Sequence, residues 1–156
     1  MKQSIPRWKA LLLWEELYKH LPSGRWELCG SIRRNTPFVS DIDVVTDCCP
    51  TTTLSFLKNT PTINLLAAGN QKIRFEFQSY QFDFQFATAE NFGAAVLYLT
   101  GSREFNIRMR AVCKKKGLSL NEYGIFRNGK LLASTEQEIL KLAGFEKYLN
   151  PATRGA

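Results

Sequence analysis

Three aspartates carry the first chemical suggestion in this chain. Asp41 and Asp43 alternate with Ile42, Val44 and Val45, the pattern of a strand in which residues two apart share a face. Two carboxylates on one face repel unless a cation lies between them, and an all-oxygen donor set suits Mg²⁺. By spacing alone the pair also fits two solvent-facing aspartates on an edge strand. The third, Asp83, stands in a run that alternates strictly, with Tyr80, Phe82, Phe84 and Phe86 on one face and Gln81, Asp83 and Gln85 on the other. Four aromatics call for a helix-covered core, which leaves Asp83 on the open face. If this strand lies beside the Asp41 strand, Asp83 completes a three-carboxylate cluster.

Upstream, Trp26 to Cys29 reads as a short apolar strand running into Gly30-Ser31. A strand that turns through Gly and Ser into a helical turn leaves backbone N–H groups to meet an anion. Such turns are common, so the signal gains weight only from its neighbours: Arg33 and Arg34, then the paired aspartates. From Cys29 to Val45 the chain thus offers donors and arginines at one end and two carboxylates at the other, which suits a triphosphate held by metal ions. A metal-dependent nucleotidyl transfer is the chemistry expected.

The elements that must position these groups follow from periodicity. Trp8, Leu11, Trp14, Tyr18 and Leu21, widened by Leu13 and Leu17, predict an amphipathic helix over residues 7–21 with its tryptophans in the core. Pro6 suits its first turn, and Pro22 with Gly24 ends it. Pro50 and three threonines open a short helix through Leu57, closed by Pro61. Strands are predicted at Ile63–Ala67, Ile73–Phe77 and Tyr80–Phe86, with a Gly69-Asn70 turn between the first two. Residues 90–98 read as a helix, broken at Thr100-Gly101. Ser102 then caps a second helix ending before Gly117, on which Phe105, Met109 and Val112 face the core and Asn106 and Arg110 share another face. Glu122–Arg127, the Asn128-Gly129 turn and Lys130–Ala133 predict a hairpin. Thr135 with Glu138 is a capping box for a last helix ended by Gly144.

Composition bounds the class. The chain of 156 residues can bury a core of its own. No apolar run reaches the roughly 18 residues of a membrane span and the N-terminus lacks a secretory pattern, so a soluble intracellular protein with no membrane partner is expected. Cys29, Cys48, Cys49 and Cys113 form no metal-type pair of pairs and are expected as reduced, mostly buried thiols. His20, the single histidine, is read as a helix-surface residue. Net charge is +7, and residues 91–156 carry eleven Lys/Arg against five Asp/Glu. A basic lobe beside an acidic centre points to a polyanion; from charge alone a simply solvated face is slightly favoured.

With these residues in hand, the chain resembles a family X DNA polymerase, and in particular the short viral-type polymerase X made of a palm and a C-terminal lobe. Gly30-Ser31, Arg33-Arg34 and Asp41-Ile42-Asp43 stand in the family's order and spacing, and Asp83 sits in a strand like the one supplying the family's third aspartate. Tyr98-Leu99-Thr100-Gly101-Ser102 resembles the turn lining the nucleotide pocket, followed by Phe105-Asn106 and Met109-Arg110. Asn121-Glu122-Tyr123, Gly144, Tyr148, Pro151 and Arg154 also fit. The match covers about residues 5–154. Gln81 and Gln85 depart from it, standing where longer members carry arginines, and Asn35–Val39 lacks the usual glycine-rich loop.

The resemblance implies an α+β fold: a nucleotidyltransferase palm over residues 1–90, a mixed sheet with helices on one face, followed by a small α/β lobe over 91–156. It implies template-directed addition of a deoxynucleotide to a primer 3′-hydroxyl with release of pyrophosphate, as in short-gap filling during DNA repair. Two Mg²⁺ ions about 3.5–4 Å apart, or Mn²⁺, would be held by Asp41, Asp43 and Asp83. Gly30, Ser31, Arg34 and Ser40 would grip the triphosphate, with Arg33 facing away, while Tyr98, Leu99 and Gly101 line the sugar and Asn106 reaches the base. Lys72, Arg74, Arg110, Lys114, Lys115, Lys116 and Tyr123 are the DNA-contact candidates. Partners are gapped or primer–template DNA, a dNTP and a DNA ligase, with the chain a monomer; no lyase activity is expected. Two other readings stand beside this one: a template-independent nucleotidyltransferase acting on RNA, protein or a small molecule, and a non-catalytic nucleic-acid binder.

Overall fold

The computed structural model describes residues 3–155. Ile5–Pro6 (β1) leads into the helix Arg7–Tyr18 (α1), followed by Trp26–Leu28 (β2) and a single helical turn, Gly30–Arg33 (α2). Phe38–Val39 (β3) pairs with β1, and Asp41–Thr46 (β4), Pro50–Lys58 (α3), Ile63–Ala68 (β5), Lys72–Phe77 (β6) and Tyr80–Phe86 (β7) complete the first half. One five-stranded sheet runs β2-β4-β7-β6-β5. Its central pair, β4 and β7, is parallel, and the other pairs are antiparallel.

The alternation of β7 is realised as expected. Tyr80, Phe82, Phe84 and Phe86 are buried in one cluster with Phe75, with Ala10, Leu13, Trp14 and Leu17 of α1, and with Leu57 of α3. Phe75 stacks on Phe82 at 5.3 Å and meets Phe84 edge-on at 4.9 Å. Each ring contributes roughly 1.5–3 kcal/mol by leaving water, and the pairing geometry adds to that.

The first helix departs from expectation. It ends at Tyr18, and its buried face is Ala10, Leu13, Trp14 and Leu17, whereas Trp8 and Tyr18 are 64% and 51% exposed. The apolar residues are spread around the axis between Arg7, Lys9, Glu15 and Glu16, so periodicity does not single out a face. The buried stripe is the one that carries Ala10. His20 is exposed, in a turn just beyond the helix.

The second half comprises Phe92–Thr100 (α4), Arg103–Lys115 (α5), Ser119–Asn121 (β8), Gly124–Arg127 (β9), Lys130–Ala133 (β10) and Glu136–Ala143 (α6), then two short 3-10 turns, Glu146–Tyr148 and Pro151–Thr153. The caps fall where the sequence puts them: Ser102 Oγ accepts from Phe105 N–H at 3.2 Å, and Thr135 Oγ1 accepts from Glu138 N–H at 3.3 Å. The hairpin turns through Asn128 and Gly129, both at positive φ. Strand β8 adds a third member to that hairpin, and Ser-Leu-Asn is too short to announce itself by alternation. Ala94, Leu97, Phe105, Met109, Cys113, Ile139 and Leu140 form a second core. A third cluster joins the halves, packing Phe92, Ala95 and Val96 of α4 against Cys29 and Val45.

Cys29, Cys48 and Cys113 are buried thiols and Cys49 is exposed. Burial pushes the Cys29 thiol up to about 12, so it is no nucleophile at neutral pH. Among the described residues no helix is long and apolar enough to cross a membrane.

Candidate active site

The parallel pairing of β4 with β7 decides which side chains meet. Asp43 is the register partner of Asp83, and Asp41 of Gln81. The carboxylates are half-buried on the open face, above Ile42, Val44, Phe82 and Phe84, which are at most 1% exposed. The condition for a three-aspartate grouping, adjacency of the two strands, is therefore met. Strand β6 adds a cation: the two-residue turn Gln78-Ser79 sets Arg74 directly across from Asp83. Arg74 Nε donates to Asp83 Oδ1 at 2.7 Å, and Gln81 Nε2 donates to Oδ2 at 3.0 Å.

The chain turns into α2 against this group. Gly30 has φ +58°, and a Cβ there would lie 2.2 Å from Asp43 Oδ2. Only glycine permits that conformation and that approach together. Cys29 N–H donates to the Asp43 carbonyl at 2.7 Å, fixing the turn to β4. Half-buried carboxylates on neighbouring strands, kept clear by a glycine, form a donor set suited to a hard divalent cation. Among the described residues no three His, Cys, Asp or Glu side chains stand as a ready metal cage; Asp83 is turned to Arg74 and Gln81.

A cavity of about 410 Å³ opens beside the carboxylates, lined by Asp43, Asp83, Lys72, Arg74, Gln85 and Leu99. Arg34 reaches the adjoining segment, where its Nη1 donates to the Thr100 carbonyl at 2.6 Å. Its Nε is buried and has no hydrogen-bond partner. Burial lowers the Arg34 pKa against the opposing pull of Asp43 and Glu104, and the group stays charged. Arg33 points elsewhere. Its two terminal nitrogens each donate to a Glu136 oxygen at 2.7 Å, and Nη1 also meets Thr100 Oγ1 at 3.0 Å. The fully buried Arg154 donates to Glu136 Oε2 at 3.0 Å and to the Tyr148 and Leu149 carbonyls. Burial tends to raise the Glu136 pKa, but the Arg33 hydrogen bonds and the Arg154 charge prevail and hold it below the ordinary value. This junction ties the turn that carries Arg34 to the second half of the chain.

The comparisons with known proteins bear on the same elements. A model of the DNA polymerase beta thumb matches residues 95–155. The repair DNA polymerase X of African swine fever virus is 33% identical over 128 residues, 74% of this chain and 74% of the viral protein. The chain belongs to the family X DNA polymerases. The DNA polymerase/3′-5′ exonuclease of Bacillus subtilis is 31% identical over 134 residues, 79% of this chain and 23% of that protein. A solved structure, Leishmania infantum polymerase beta in a ternary P/T complex, superposes with a TM-score of 0.82 over 99% of this chain and 77% of its own, at 23% identity. That identity speaks to the fold, which is the α+β architecture expected. As a family X enzyme the chain is a DNA polymerase of the repair type.

The other residues singled out in this polymerase fall in separate places. Asn106 and Arg110 line one small recess with Tyr98, and Asn106 Nδ2 donates to the Tyr98 carbonyl at 2.8 Å while its Oδ1 is buried without a partner. Arg110 and Lys114 also line a surface groove beside Ile107. Lys115 and Tyr123 are exposed, as is Ser40, and Ser31 is half-buried. Lys116 is engaged within the fold, its Nζ donating to the Ala143 carbonyl at 3.2 Å. Sequence reasoning overlooks Glu136, which no periodicity marks. It also takes Arg74 only as a DNA contact, although two strands separated by two residues fix Arg74 opposite Asp83.

Proposed function

We propose that this family X polymerase fills short gaps in DNA, adding a templated deoxynucleotide to a primer 3′-hydroxyl and releasing pyrophosphate. The observation that carries the reading is the facing of Asp43 and Asp83 across β4 and β7, at a cavity reached by Leu99, with Gly30 clearing the space above Asp43. Asp41, Asp43 and Asp83 are the residues to hold two divalent cations, Mg²⁺ with Mn²⁺ as substitute. When bound, such ions neutralise the triphosphate and the charge developing on the attacking and leaving oxygens.

The remaining work falls to the chain. Asp83 accepts the proton of the primer hydroxyl at a carboxylate oxygen. Ser31, Arg34 and the backbone at Gly30 and Ser40 grip the β- and γ-phosphates, and the unpartnered Arg34 Nε supports this by offering a charge-assisted donor. Tyr98, Leu99 and Gly101 line the sugar. Asn106 reads the incoming base and Arg110 the template side, through minor-groove acceptors common to every base pair. Residues 1–90 act as the palm and 91–156 as the nucleotide- and DNA-binding lobe, with Lys72, Lys114, Lys115 and Tyr123 along the DNA. The chain works as a monomer, and a ligase seals the nick it leaves.

Primer extension in a one-nucleotide gap, with Mg²⁺ or Mn²⁺ and each template base in turn, tests this. Nucleotide choice is expected to follow the template, and Asp83→Ala to abolish incorporation. Wild-type incorporation by that variant would sink the role given to Asp83. Arg34→Ala is expected to raise the nucleotide KM with DNA binding kept; an unchanged KM places the triphosphate elsewhere.

A further inference from the structure

We propose that Arg74 is a positioning residue whose guanidinium serves as the counter-ion of Asp83 until a divalent cation arrives, and then gives way. The inference rests on the reading of Asp83 as a metal ligand and adds a residue which that reading leaves on the DNA.

Register places the two residues opposite each other on β6 and β7, and Arg74 Nε meets Asp83 Oδ1 at 2.7 Å. Gln81 satisfies the second oxygen from the same face of β7. Both carboxylate oxygens are thus turned to protein donors, and a cation arriving at Asp83 meets a guanidinium already holding one of them. The Arg74 side chain is 54% exposed and that of Asp83 23%, so the pair is weakly held and the guanidinium can leave for water at small cost. A guanidinium keeps its proton in proteins, so Arg74 does not withdraw by losing its charge; it is displaced. A fixed cation competing for a ligand lowers the apparent affinity for the metal while keeping Asp83 oriented and its charge compensated.

The test is Mn²⁺ binding to the protein alone, without DNA or nucleotide, followed by electron paramagnetic resonance for the wild type, Arg74→Ala, Arg74→Lys and Asp83→Asn. Removing the competitor is expected to tighten Mn²⁺ binding in Arg74→Ala roughly three- to fivefold, the size that fits release of one partly exposed ion pair. Arg74→Lys, which keeps the charge, is expected to stay near wild type. Equal or weaker binding by Arg74→Ala, or tightening by Arg74→Lys to the same extent, overturns the exchange. Asp83→Asn separates the two ideas. Weakened binding there with an unchanged Arg74→Ala removes only the exchange, whereas wild-type binding by Asp83→Asn removes Asp83 as a ligand and the exchange with it.

Discussion

Two arginine–carboxylate pairs in this molecule share a separation of 2.7 Å and differ in their surroundings. Arg74 and Asp83 meet on the open face of the sheet, with side chains 54% and 23% exposed. Arg33 and Glu136 meet between the two halves, at 25% and 16%, and Glu136 also takes a bond from Arg154, which is fully buried. An exposed pair is worth about 0–1 kcal/mol and can be exchanged for another partner. Removing one member of a buried network strands the others as unpaired charges, at about 3–5 kcal/mol. The polymerase thus keeps labile charge on the carboxylate face proposed to receive substrate and cation. Fixed charge stands where the turn carrying Arg34 is anchored.

The strongest way to break this contrast is to change one carboxylate on each side. Asp43→Asn is expected to lower the rate of nucleotide incorporation by roughly 10²–10³-fold, the usual size for losing one group that stabilises developing charge. Its thermal melt should stay near wild type, since neutralising one of several clustered carboxylates relieves repulsion. Glu136→Ala should do the reverse in proportion. It leaves Arg154 buried and uncompensated, and urea unfolding is expected to show a loss of about 3–5 kcal/mol. A Glu136→Ala protein as stable as wild type would mean that Arg154 finds another acceptor, and the contrast in surroundings would lose its energetic meaning.

The two regions also differ in how far the sequence discloses them. The carboxylate face is legible because a strand has period two: once Phe82, Phe84 and Phe86 are assigned to the core, Asp83 has to face outward. The pairing of β4 with β7 is non-local, so local pattern supplies it only as a condition. The pairing of Arg74 with Asp83 is within reach, since a two-residue turn between Phe77 and Tyr80 fixes every cross-strand partner. It is hidden because Gln78 and Ser79 adopt positive φ without the Asn-Gly signature. The junction is illegible for a deeper reason: Arg33 and Glu136 are 103 residues apart, and nothing local distinguishes a surface glutamate in a first helical turn from one closing a buried network. The face of α1 escapes periodicity because its apolar residues are spread around the axis among four charged ones, and packing buries the stripe with Ala10.

Acid sharpens the comparison further. The Glu136 carboxyl is held below its ordinary 4.5, because the bonds from Arg33 and the charge of Arg154 outweigh the effect of burial. A depressed folded-state pKa gives stability that is present above the unfolded value and is lost as pH falls through the folded one. Wild type and Glu136→Gln are therefore expected to differ in unfolding free energy at neutral pH and to converge as pH drops below about 4.5. A constant difference down to the acid transition would assign the loss to packing and not to charge.

The smallest expected effect repeats the contrast within three consecutive lysines. Lys116, though exposed, donates to the Ala143 carbonyl at the end of α6, at 3.2 Å, and Lys115 is exposed at the end of α5. A cation at a helix C-terminus is worth about 0.3–1 kcal/mol. Lys116→Ala is therefore expected to lower stability by about that much and to leave the salt dependence of DNA binding as it was. Lys115 also stands in the last turn of its own helix, α5, so Lys115→Ala is expected to show a similarly small loss of stability, but with a log K against log salt slope shallower by about 0.9, the change for one phosphate fewer neutralised. Measured side by side on gapped DNA, the two variants distinguish a lysine spent on the fold from one directed at phosphate. A shallower slope in Lys116→Ala would show that its bond to α6 yields to DNA, and would move it to the exchangeable side of the comparison with Arg74.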